Sequence, residues 1–123
     1  MKKLPETEFE IMKTIWASVP PVTTKQISEL LAPDKEWKPQ TILTLLVRLT
    51  ERGFIRSEKQ GKERLYYPII SEDEYLAFET QDFMTRFHHQ SFASLFSAFY
   101  KGKKISEEDL DELETWLKER KNS

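Results

Sequence analysis

The stretch K-P-Q-T-I-L-T-L-L-V-R-L-T, from Lys38 to Thr50, carries two apolar stripes where a surface helix ordinarily carries one. Pro39 suits the first turn of a helix, since an N–H at that position would have no intrahelical partner. At about 100° per residue, Ile42, Leu45, Leu46 and Leu49 fall on one arc with the width of a core stripe. Gln40, Leu43, Thr44 and Val47 recur at i, i+3, i+4 and i+7, which makes one continuous face on roughly the opposite side. The first arc predicts a buried side. The second, uncharged and partly apolar, predicts contact with something other than water. Gly53 is placed to end the helix in the left-handed conformation.

Upstream, Phe9, Met12, Ile15 and Trp16 predict a helix over about Glu6–Ala17, whose acidic first turn suits the helix dipole and which V-P-P (19–21) stops. Thr23 with Gln26 reads as a capping box opening a second helix to Ala32, with Ile27, Leu30 and Leu31 inward, broken by A-P-D-K (32–35). Downstream, F-I-R-S-E-K (54–59) and R-L-Y-Y-P-I-I (64–70) read as strands around Q-G-K-E (60–63), where Gly61 suits a hairpin turn. Pro68 can close the second strand because it cannot donate to the ladder. Three helices and a hairpin make a winged helix-turn-helix over 1–70. Ser71 with Glu74 caps a further helix that is bent or broken around His88–Ser91 and runs to about Lys101, and S-E-E-D (106–109) caps a last one to about Lys118. The expected fold class is mainly α with a small β-hairpin wing, followed by a helical domain over 71–123.

The composition agrees with a globular chain: 38% hydrophobic, 33% charged, with too few glycines and prolines for a turn-rich β architecture. The absence of cysteine removes disulfides, thiol catalysis and thiolate zinc sites, and favours a reducing compartment. No run is apolar enough for a signal peptide or a membrane span, so the expected location is cytoplasmic. A net charge of −2 conceals an asymmetry. Residues 1–68 hold 12 Lys/Arg and 9 Asp/Glu, net +3, and residues 69–123 hold 7 and 12, net −5. A basic first half suggests an anion-binding module. Nucleophile motifs, Gly-rich phosphate loops and metal-ligand clusters are all missing, so an enzyme, a cofactor and a metal site are not expected. The adjacent His88 and His89 would point about 100° apart on a helix, which argues against a shared ligand role.

In a winged helix-turn-helix the third helix lies in the DNA major groove. Gln40 can pair with an adenine edge, Thr44 can hydrogen-bond or touch a thymine methyl, and Leu43 and Val47 can make apolar contact with thymine methyls. With Thr41 beside them they form the expected base-reading set. Lys38, Arg48, Arg52, Lys59, Lys62 and Arg64 bracket the helix and the hairpin tip where phosphates would run. The alternative is a winged-helix module whose second face packs on protein. Salt separates the two, because phosphate binding weakens steeply as salt rises.

The segments M-K-K-L-P-E-T-E-F-E-I-M-K-T-I-W, E-W-K-P-Q-T-I-L-T-L-L-V-R-L-T-E-R-G-F-I and G-K-E-R-L-Y-Y-P-I-I-S-E-D-E-Y resemble the BlaI/MecI, or penicillinase repressor, family across nearly the whole chain. The most specific part is W-x-P-x-T-I-x-T-L-x-x-R-L-x-x-x-G-F-I, from Trp37 to Ile55. The resemblance implies a homodimeric repressor on an inverted-repeat operator upstream of β-lactamase or resistance genes, relieved when a membrane sensor-protease leads to repressor cleavage. Typical members carry a basic residue in place of Gln40 and often Arg in place of Leu43, so the base-facing surface here is less basic. The family's scissile Asn-Phe pair aligns with Ala98-Phe99, which keeps only the Phe. A copper-responsive branch has a cysteine-rich tail, which this chain lacks.

The tail is dense in large apolar residues, more than two helices can enclose by themselves. Either the winged helix or a second copy covers them. The resemblance implies a second copy, with Phe83, Phe87, Phe92, Leu95, Phe96, Phe99, Leu113, Trp116 and Leu117 at the dimer interface.

Overall fold

The computed structural model describes residues 1–31 and 37–122. Its elements are α1 (Glu6–Trp16), β1 (Val22–Thr23), α2 (Thr24–Leu30), α3 (Pro39–Glu51), β2 (Ile55–Gln60), β3 (Glu63–Pro68), α4 (Glu72–His88), α5 (Phe92–Lys101) and α6 (Glu107–Lys121). The break expected at 32–35 lies outside the described residues. The chain divides into two compact units, 1–79 and 80–123.

The first unit is built on the stripe read from α3. Ile42, Leu45, Leu46 and Leu49 are all buried, and they join Ile11, Met12 and Ile15 of α1, Ile27 of α2 and Phe54, Ile55 and Tyr66 of the hairpin in one core. Each such side chain contributes about 1.5–3 kcal/mol through removal from water. The buried arc of α1 is Glu8, Ile11, Met12 and Ile15, one step round from the expected arc, and Phe9 and Trp16 sit at the core's edge. In α2, Leu30 is 60% exposed rather than inward, because the helix ends there and Leu31 turns extended and takes the buried place. The capping box of Thr23 and Gln26 forms as expected. Gly53 takes φ +81 and its N–H reaches the Thr50 carbonyl at 3.0 Å, closing α3.

β2 and β3 pair antiparallel with Gln60 opposite Glu63, so Gly61 and Lys62 form a two-residue turn with Gly61 at φ +63. A strand not foreseen, β1, pairs Val22 with Tyr66 and Thr23 with Leu65, giving a three-stranded sheet in the order β1-β3-β2. Two residues are too short to show a period.

The start of α4 belongs to the first unit. Tyr75 is 2% exposed, its ring packs within 5.5–5.8 Å of Phe9, Trp16 and Phe54, and its hydroxyl accepts from the Leu4 N–H at 2.7 Å. Burial, with a hydrogen bond to Glu79, pushes the Tyr75 phenol up to about 12. In the second unit α4 ends at His88. His89 and Gln90 take φ of 49 and 63, and Ser91 caps α5 by accepting from the Ser94 N–H. Ser106 and Asp109 form the capping box of α6, and hydrogen bonding from the Ser106 backbone N–H, then from its side chain, holds the Asp109 carboxyl below its usual value.

Candidate nucleic-acid interface

Burial of one arc of α3 leaves the opposite one outward. Gln40, Thr41 and Thr44 are exposed, Leu43 is 40% exposed and Val47 57% exposed. Thr44 Oγ1 donates to the Gln40 carbonyl at 2.9 Å, which ties the hydroxyl to the helix backbone. The surface therefore offers one amide, hydroxyls and methyl groups, with no fixed charge at its centre. Charge is arranged around it: Lys38 at the start of α3, Arg48 on its flank, Lys59 and Arg64 opposite one another on the hairpin, and Lys62 at the turn, all exposed. Lys38, Arg48, Lys59 and Lys62 form no ion pair with a described residue.

Arg64 is oriented rather than free. Its Nη1 donates to Ser57 Oγ at 3.0 Å, and both side chains line a groove of about 350 Å³ between α3 and the wing, shared with Leu43, Val47 and Tyr66. Ser57 is a residue that sequence reasoning missed. The signal was present: once the turn is fixed at Gly61-Lys62, Lys59 faces Arg64 and Ser57 stands two residues further along the same face.

Arg52 departs from the expected set. Its Nε and Nη2 donate to Glu8 Oε1 at 2.7 Å and Oε2 at 3.4 Å, and Glu8 is 1% exposed. A carboxylate that deeply buried needs its cation. Arg52 thus ties the end of α3 to α1, a pairing with no local signal, because Glu8 reads as an ordinary first-turn acid. Arg56, also on the wing, is engaged with Glu58 at 2.7 Å and lies 4.0 Å from the Tyr67 ring centre.

The remaining expected residues lie in the second unit. Phe83, Phe87, Phe92, Phe99, Trp116 and Leu117 are 43–69% exposed, and Leu95, Phe96 and Leu113 are half-buried. Ala98 and Phe99 lie in the last turn of α5, exposed, just before Gly102. His88 Nδ1 stands 2.9 Å from Ser94 Oγ, and among the described residues no three His, Asp or Glu side chains gather as metal ligands would. No described helix is long and apolar enough to cross a membrane.

Residues 4–119 match the family described as penicillinase repressor. The penicillinase repressor of Bacillus licheniformis is 33% identical over 99% of this chain and 97% of its own length. The methicillin resistance regulatory protein MecI of Staphylococcus aureus (strain N315) is 29% identical over 94% and 93%. Among solved structures, the solution structure of the DNA binding domain of the repressor BlaI aligns with a TM-score of 0.52 at 35% identity, covering 61% of this chain and 94% of that domain. A match over nearly the full length, agreeing with a winged-helix geometry built around α3, establishes that this chain belongs to the penicillinase repressor family.

Proposed function

We propose that the protein is a DNA-binding transcriptional repressor, with residues 1–70 as the winged helix-turn-helix and 71–123 as the dimerisation domain. It acts as a homodimer on an inverted-repeat operator. The observation that carries this reading is the second face of α3: an uncharged, partly apolar, exposed strip bordered by Lys38, Arg48, Lys62 and Arg64. A strip of amide, hydroxyl and methyl groups suits base edges, and the cations beside it suit phosphates. Gln40, Thr41, Leu43, Thr44 and Val47 read bases. Lys38, Arg48, Lys59, Lys62 and Arg64 hold the backbone. Arg52 is left out because Glu8 occupies its guanidinium. A docking face for protein would not call for the surrounding cations.

Membership in a repressor family supports the same reading. The large apolar side chains Phe83, Phe87, Phe92, Phe99, Trp116 and Leu117, left 43–69% exposed on the single chain, support a homodimer that covers them. Regulation by a membrane sensor-protease would act at Ala98-Phe99, where the end of α5 can open most easily. Cutting there separates α6 and its Leu113, Trp116 and Leu117 from the rest of the interface.

The test of DNA binding is a salt titration on a duplex that the full-length protein selects from random sequence. Affinity should fall by about one log unit per log unit of salt for each phosphate contact. Binding insensitive to salt would return the second face of α3 to a protein partner. For cleavage, mass spectrometry of the repressor in cells exposed to a β-lactam should find fragments ending at Ala98. An intact chain during full derepression would rule proteolysis out.

A further inference from the structure

Three arginines on or beside the hairpin are treated differently by the fold. Arg52 is neutralised by the Glu8 carboxylate at 2.7 Å. Arg56 is neutralised by Glu58 at 2.7 Å and covered by the Tyr67 ring, whose centre lies 4.0 Å from its guanidinium carbon. Arg64 forms no ion pair with a described residue, and its Nη1 donates to the neutral Ser57 Oγ at 3.0 Å.

The strand register brings this contact about. Ser57 stands opposite Tyr66 and Lys59 opposite Arg64, so Ser57 and Arg64 are diagonal neighbours across the ladder. Alternation along each strand puts them on the same face as the buried Ile55 and Tyr66. On that face both side chains line the groove between α3 and the wing, with Leu43 and Val47 on its other wall. Glu51 also lines the groove but makes no ion pair with Arg64.

A serine hydroxyl orients a guanidinium without cancelling its charge. A guanidinium carries five N–H donors, and the bond to Ser57 occupies one of them. The full charge and the other donors remain for an anion. An arginine on an exposed strand loses rotamer freedom when a phosphate fixes it, and a bond already made before binding reduces that loss. For the folded state alone the contact matters little, because Arg64 is exposed and such surface pairs change stability only slightly. Its consequence falls on binding.

We propose that Ser57 is a positioning residue for DNA binding, holding the Arg64 guanidinium in the groove between α3 and the wing for one backbone phosphate. The inference rests on the DNA-binding reading and adds to it a residue that acts through Arg64.

The experiment is a double-mutant cycle in the full-length protein on the selected duplex, with Ser57→Ala, Arg64→Ala and the two combined, each measured over a range of salt. Ser57→Ala should weaken binding by roughly 2–13-fold, the range for ordering one long side chain, and leave the salt slope unchanged because the charge is still present. Arg64→Ala should flatten that slope by about one unit. Added to Arg64→Ala, Ser57→Ala should have no further effect. Ser57→Thr, which keeps the hydroxyl and suits a strand, should restore wild-type affinity, and thermal unfolding of Ser57→Ala should match the wild type. The proposal is overturned if Ser57→Ala costs the same with and without Arg64, or costs nothing where Arg64→Ala does; either result leaves the DNA-binding reading standing. Salt-insensitive binding by the wild-type protein would instead sink that reading, and this inference with it.

Discussion

Residues 1–79 close an apolar cluster that runs from Leu4 to Tyr75, and its members are 0–6% exposed. In residues 80–122, Met84 is the one buried apolar side chain among those described, although α4, α5 and α6 carry Phe, Leu and Trp in comparable density. The two units have similar means and different ends. The first buries its apolar surface against itself, because α1, α2 and the hairpin approach α3 from several sides. The second is helices alone, and large rings remain 45–71% exposed on them. A surface that an isolated chain leaves wet and apolar is a surface waiting for a partner, and the proposed partner is a second copy.

The largest expected effect tests that contrast directly. A chain ending at Glu79 should fold and be monomeric, and its affinity for the selected duplex should fall about 10²–10⁴-fold, because two linked half-sites bind far better than one. The cut belongs after Glu79 and not at Pro68, since Tyr75 completes the first core. If sedimentation finds the full-length protein monomeric at micromolar concentration, the contrast has another cause.

Next in size is a pair of substitutions. Leu46→Ala, at a side chain 1% exposed, should cost about 2–5 kcal/mol in chemical denaturation, in the full chain and the truncated one alike. Phe87→Ala, at a side chain 57% exposed in the single chain, should instead weaken dimerisation and leave the unfolding of the first unit unchanged. An equal loss of intrinsic stability from both would erase the distinction between the units.

Within the first unit, Gln40→Ala should cost about 1–3 kcal/mol on the selected duplex and relax preference at one base pair per half-site. Lys62→Ala should weaken specific and random DNA alike and flatten the salt slope by about one unit. Equal losses on both kinds of DNA for Gln40→Ala would remove it from the base-reading set.

The smallest effect concerns pH. The Tyr75 phenol is raised from 10.0 to about 12 in the folded state. The folded protein therefore holds this proton more tightly than the unfolded chain. The resulting stability is complete below pH 10 and is lost as pH rises from 10 toward 12. Tyr75→Phe should lower stability at neutral pH by about 1 kcal/mol, through the lost hydrogen bond to the Leu4 N–H, and flatten this alkaline decline. An unchanged alkaline slope would show that Tyr75 does not set it.

Much of this molecule is legible from local rules. The two faces of α3, its proline start and glycine end, the capping boxes at Thr23 and Ser106 and the hairpin around Gly61 all follow from side-chain periodicity and backbone conformational preference, which act within a few residues. The Trp37–Ile55 motif added the family. Other features depended on chain segments far apart in sequence. Glu8 and Arg52 are separated by 44 positions and become a buried ion pair only when α1 packs on the end of α3. Tyr75 is one aromatic among many in the tail until Leu4, 71 positions away, donates to its hydroxyl. Ser57 turns Arg64 toward α3 only once the strand register is set. Periodicity fixes which face of an element is apolar, and tertiary packing alone decides what that face meets and which charges are drawn inside with it.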